Sequence, residues 1–141
     1  MKAVITIAGT QGMMESGNDT VELVTDGIYT KTGRGYAIKY LESELTGLEG
    51  TTTTVEINDD DSVTVERRGT LNVVMAFRKG EKSNFLYDTQ FGSATLGFDT
   101  RNIIAKFNDR GGELLIDYVV NMEHAVVSRN MLRMSVRPTK S

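Results

Sequence analysis

The chain has no cysteine and no tryptophan, and only one histidine and one proline in 141 residues. Without thiols it can form neither a disulfide framework nor a thiolate metal site. The single histidine, His124, lies in MEHAVVSRN, which reads as a strand end entering a loop. No Ser-His-Asp or Cys-His set can be assembled around it. No long hydrophobic run is present either. The opening MKAVITIAGTQG carries one lysine and a short apolar stretch interrupted by Thr6 and Gly9, too short and too polar for a signal peptide or a membrane span. The expectation is a cytoplasmic protein with no membrane partner. A net charge of −3 also removes the global basic field that drives nucleic-acid binding. The acidic run Asp59, Asp60, Asp61 lacks the spaced ligands and downstream glutamate of a hard-cation loop, so it reads as a solvated hairpin tip. Gly33-Arg34-Gly35 joins two strands and opens no helix, so it reads as a turn and not as a phosphate loop. Neither a metal nor a cofactor is called for.

What the chain does have is period-2 alternation, rich in threonine, valine and isoleucine, with no sustained 3.6-residue stripe. The pattern predicts strands over 2–10, 20–31, 35–44, 51–58, 62–68, 71–78, 83–89, 92–107 with a break near Thr100, 112–123 and 129–137. Asn58-Asp59-Asp60-Asp61, Arg78-Lys79-Gly80-Glu81 and Asn108-Asp109-Arg110-Gly111-Gly112 have the residues of tight hairpins, so neighbouring strands pair antiparallel. With no helix to cover a sheet face, the strands must close on themselves or stack as two sheets. The expected architecture is all-β: a single domain spanning residues 1–141, built as an antiparallel meandering barrel of about eight to ten strands, with a two-sheet sandwich as the alternative.

Parity singles out one residue. In VTVERRGTLNVVMAF, Val63 and Val65 share a face with Arg67, while Thr64, Glu66 and Arg68 share the other; beyond the Gly69-Thr70 turn, Leu71, Val73, Met75 and Phe77 face inward. Arg67 therefore points in and Arg68 out. The same counting puts Tyr36, Ile38, Tyr40 and Glu42 on one inner face, Phe85 and Tyr87 on another, and Leu114, Ile116, Tyr118, Val120 and Met122 on a third. Ala94, Leu96, Phe98 and Thr100 make a fourth. A guanidinium taken from water costs several kcal/mol unless it is paired. Two partners are open to Arg67: Glu42, in an internal pair that fixes register, or an anionic ligand.

The ordered set IKYLE (Ile38 to Glu42), TTTTVEI, Arg67-x-Gly69, YDTQFG (Tyr87 to Gly92), LLIDY ending at Tyr118, and NMLRMSV from Asn130 resembles the YwiB-like family of uncharacterised bacterial proteins along essentially the whole chain. The resemblance implies a calycin-type β-barrel, lipocalin-like in broad architecture, with Tyr40, Glu42, Arg67, Gly69, Tyr87, Gly92 and Tyr118 as its typical positions. The Gly-x-Trp signature of lipocalins is missing, so lipocalin function does not transfer with the fold. Two functional readings stay open. In the first, the barrel holds a small amphipathic or anionic molecule, with Arg67 facing its charge and Tyr40, Glu42, Tyr87 and Tyr118 around it. In the second, the barrel is filled and acts through its outer surface as a homodimer, since Val74, Leu86, Leu115 and Val119 are apolar on the outward parity. A catalytic role ranks third, and no catalytic residue is assigned.

Overall fold

The structure is a computed structural model and describes residues 1–13, 17–42, 49–89, 92–122 and 125–139. His124 lies outside the described residues. Among the described residues ten strands follow in order: β1 (Lys2–Met13), β2 (Gly17–Thr32), β3 (Gly35–Leu41), β4 (Thr52–Asn58), β5 (Val63–Arg68), β6 (Leu71–Phe77), β7 (Lys82–Thr89), β8 (Gly92–Asn108), β9 (Gly111–Met122) and β10 (Ala125–Pro138). Each pairs antiparallel with the next, and β10 returns to β1, so the sheet closes as a barrel and not a sandwich. Closure leaves no edge strand exposed, which such a run of hairpins requires in place of a covering helix.

The wall follows the alternation of the sequence. Along β6, Leu71, Val73, Met75 and Phe77 are buried while Val74 is exposed; on β5, Val63 and Val65 face the same core. The inner row Gly27, Tyr40, Thr53, Arg67 and Val73 can be followed residue by residue across β2 to β6. Gly27 carries no side chain because the space a Cβ would take is held by Ile5 of β1, the Lys39 carbonyl and Tyr40.

Strand β8 continues through residue 100 instead of breaking there. A bulge shifts its register against β9 between Thr100 and Asn102. The extra residue reverses parity: Phe98 and Thr100 face in on one side of it, Ile103, Ala105 and Phe107 on the other.

One end of the barrel is plugged. The rings of Tyr29 and Tyr36 stack 5.1 Å apart at 7°, with Phe107 6.2 Å from Tyr29. Tyr29 donates its hydroxyl to the Asn108 carbonyl at 2.8 Å and Tyr36 donates to Asp109 at 2.9 Å. At the same end Asp60 accepts from the Ser62 hydroxyl at 2.6 Å and from Arg78 at 2.9 Å, with Arg34 3.7 Å away. The acidic run is thus a hydrogen-bonded hairpin knot, and residues 33 and 34 form the β2–β3 turn.

Candidate functional site

Arg67 lies toward the opposite end. It is the next-to-last residue of β5, paired with Thr53 on β4 and Val73 on β6, and the Gly69-Thr70 turn follows it. That turn packs so tightly on residues 50 and 51 that a Cβ at Gly69, where φ is +142°, would strike the Gly50 carbonyl. The Thr70 hydroxyl donates to the Glu49 carbonyl at 2.8 Å, which further ties the turn to the start of β4. The backbone that sets Arg67 is therefore fixed on both sides.

The two arginines separate as parity predicts. The side chain of Arg67 is 24% exposed, whereas that of Arg68 is 59% exposed and donates to Glu66 at 3.0 Å on the outer face. Arg67 Nε stands 3.8 Å from Glu42 Oε1, an ion pair too long to be a hydrogen bond. That Nε is buried and has no hydrogen-bond partner among the described residues. Glu42 itself is buried and well held: Thr53 donates its hydroxyl to Oε1 at 2.7 Å, and the Glu42 amide donates to the Thr51 carbonyl at 2.8 Å.

Two tyrosines face the same charge. Burial raises the pKa of Tyr40, and the Glu42 carboxylate adds to the rise while the Arg67 guanidinium opposes it. Burial likewise raises Tyr118, again against Arg67. Both phenols thus stay protonated at neutral pH, and the Tyr40 hydroxyl is hydrogen-bonded to Glu42. Below them Phe77 packs on Tyr118 at 5.0 Å and on Phe98 at 5.1 Å, and Phe85 on Phe98 at 5.6 Å, forming an aromatic floor. Thr100, opposite Tyr118 in register and 1% exposed, keeps an Oγ1 with no hydrogen-bond partner among the described residues.

Of the residues selected from sequence, the structure brings Arg67, Glu42, Tyr40 and Tyr118 together. Tyr87 stands apart: it is 42% exposed, and no hydrogen bond or ring contact joins it to the cluster among the described residues. The cause is local. Among the described residues, strands β6 and β7 pair in register only at Leu71↔Thr89 and Asn72↔Asp88, so the wall parts beside Val73, where Tyr87 would have been covered. Met122, also on an inward parity, emerges 48% exposed at the end of β9. Val119 does the reverse: it has outward parity, yet it is only 6% exposed, flanked in register by Arg129 and Asp99. Val74 and Leu86 are exposed as expected. Sequence reading missed Thr53, which shares parity with Thr51 in the four-threonine run. It also missed Tyr29, whose spacing from Gly27 and Thr25 marks it as inward. No helix is long and apolar enough to cross a membrane, and no group of metal-ligating side chains occurs among the described residues.

Comparison with known proteins agrees with this architecture. A family model described as a domain of unknown function, DUF1934, matches residues 5–134, and the chain belongs to that family. The fold is similar to the crystal structure of the ywiB protein from Bacillus subtilis, with a TM-score of 0.84 and 18% sequence identity over 99% of this chain and 92% of that one. The YwiB-like resemblance read from the motifs is thereby borne out. No functionally curated protein matches the chain.

Proposed function

We propose that the barrel is a binding module whose site lies at the Arg67 end and takes a small anionic or amphipathic anionic ligand, a carboxylate being the simplest case. One observation carries the reading: an inward guanidinium whose buried Nε–H is not spent on an acceptor among the described residues, although a carboxylate stands 3.8 Å away. Buried donors are almost always satisfied, and an arginine fork matches a carboxylate in geometry. The protonated hydroxyl of Tyr118 supplies a further donor, Glu42, to which Tyr40 is hydrogen-bonded, stands beside the guanidinium, and the phenylalanine floor suits an apolar portion.

We read the module as cytoplasmic. Lys39, Glu56, Lys106 and Arg133 are exposed on the outer wall, where a lipid-facing barrel would be apolar. The test is native mass spectrometry of the purified protein, followed by melting curves with a short alkyl carboxylate and an aryl sulfonate, on wild type and Arg67→Met. The expected result is a bound anion, or a rise in Tm with one of the two probes, that Arg67→Met abolishes while remaining folded. An empty protein with equal responses of the two proteins to both probes would overturn the proposal.

A further inference from the structure

The outside of a small barrel is convex, yet here the outer wall across β1, β10, β9 and β8 is hollowed by a cavity of about 380 Å³. Its floor is made of short side chains, Thr6 and Ala8 on β1 and Ser135 on β10, and Ile104 of β8 stands on its far side, 45% exposed. Ile104 faces outward because of the bulge between Thr100 and Asn102. The registers place these residues on a grid. One row reads Thr6, Ser135, Glu113, Lys106 across the four strands, and the next reads Ala8, Arg133, Leu115, Ile104.

That grid is self-complementary. A two-fold axis lying in the contact plane, parallel to the strands and midway between β10 and β9, exchanges the left and right halves of each row. Ile104 of one copy then falls on Ala8 of the other, a knob into a hole, twice over. Arg133 lies over Leu115 of the second copy and one row from its Glu113, so opposite charges come within reach. Among the described residues no ion pair engages Lys106, Glu113 or Arg133. Such an arrangement is an isologous interface with an apolar centre and charged flanks.

We infer that the groove across β1, β10, β9 and β8 is the docking surface for a second copy of this chain, with Ile104 of each copy seated on Ala8 of the other. The inference does not depend on the ligand site, which lies on the inner wall.

The absence of cysteine permits a direct test. Positions 8 and 104 are three strands apart in one chain, about 14 Å at the usual strand spacing, far beyond the roughly 4.4–6.8 Å between Cα atoms that a disulfide spans. Facing sheets stand roughly 10 Å apart, so Ala8→Cys with Ile104→Cys should yield a covalent dimer with a short bis-maleimide reagent, while either single variant stays largely uncrosslinked. Sedimentation equilibrium should show a wild-type dimer that Ala8→Arg weakens by at least about tenfold; Ile104→Ser should do the same, with circular dichroism melts verifying that both remain folded. A monomeric wild type, a dimer indifferent to both substitutions, or efficient crosslinking through position 8 alone would overturn the interface.

Discussion

Replacing Arg67 by alanine separates a buried ion pair from a surface one within two adjacent residues. Removing one member of a fully buried pair costs about 3–5 kcal/mol. Here the guanidinium is 24% exposed and lies 3.8 Å from Glu42 without a hydrogen bond, so solvent screening reduces the loss to about 2–3 kcal/mol. Glu42 keeps the Thr53 hydroxyl at 2.7 Å, which prevents a larger cost. For a domain of this size each kcal/mol moves Tm by roughly 3 °C, so Arg67→Ala should melt about 6–9 °C lower. Arg68→Ala removes an exposed pair with Glu66 and should lose less than about 2 °C. Calorimetric melts of the two variants read the difference. A double-mutant cycle of Arg67→Met with Glu42→Gln should return a coupling of about 1–2 kcal/mol. Equal melting temperatures for Arg67→Ala and Arg68→Ala would refute the assignment of inner and outer faces, and zero coupling would refute the ion pair.

Four further outcomes follow from the same geometry. Thr100→Val removes a buried hydroxyl that has no partner among the described residues, so urea unfolding should show a gain of about 1 kcal/mol; a loss would mean that the hydroxyl has a bound acceptor. Tyr29→Phe keeps the stack on Tyr36 but strands the Asn108 carbonyl, and should cost about 1–1.5 kcal/mol in the same assay. Tyr40 and Tyr118 have pKa values raised by burial, so the native state favours their neutral forms. Their contribution is complete below the ordinary tyrosine pKa of about 10 and is lost as pH climbs through the raised values. Melting temperature should accordingly fall steeply above about pH 10, and less so in Tyr40→Phe. Asp60 is lowered to about 2, chiefly by the Ser62 hydroxyl and amide and then by Arg78. Its contribution is present above the ordinary carboxylate pKa and disappears as pH falls toward 2, so Asp60→Asn should flatten the acid limb of a Tm-against-pH curve.

Much of this molecule was decided by local sequence, because a strand has a period of two and a hairpin needs particular residues. Val63, Val65 and Arg67 could face only one way once Gly69 and Thr70 turned the chain, and the structure places Arg67 inside and Arg68 outside for that reason. The succession of polar turns likewise implied antiparallel neighbours, and ten unhelped strands required closure. Parity cannot say how far apart two strands run or how deep a residue sits. That is why Tyr87, on the correct face, ends up at a parting of the wall, and why Val119, on the outer face, is covered.

The bulge at Thr100 shows the same boundary between local and tertiary information. Alternation suggested an irregularity there, but a break and a bulge look alike in sequence; only pairing with β9 made it a bulge, and only the bulge turned Ile104 outward. The gap of 3.8 Å between Arg67 and Glu42 is tertiary in the same sense. The two residues are 25 positions apart in the chain, and their separation is set by the stagger of β3, β4 and β5 around the barrel, a long-range quantity that no local pattern encodes.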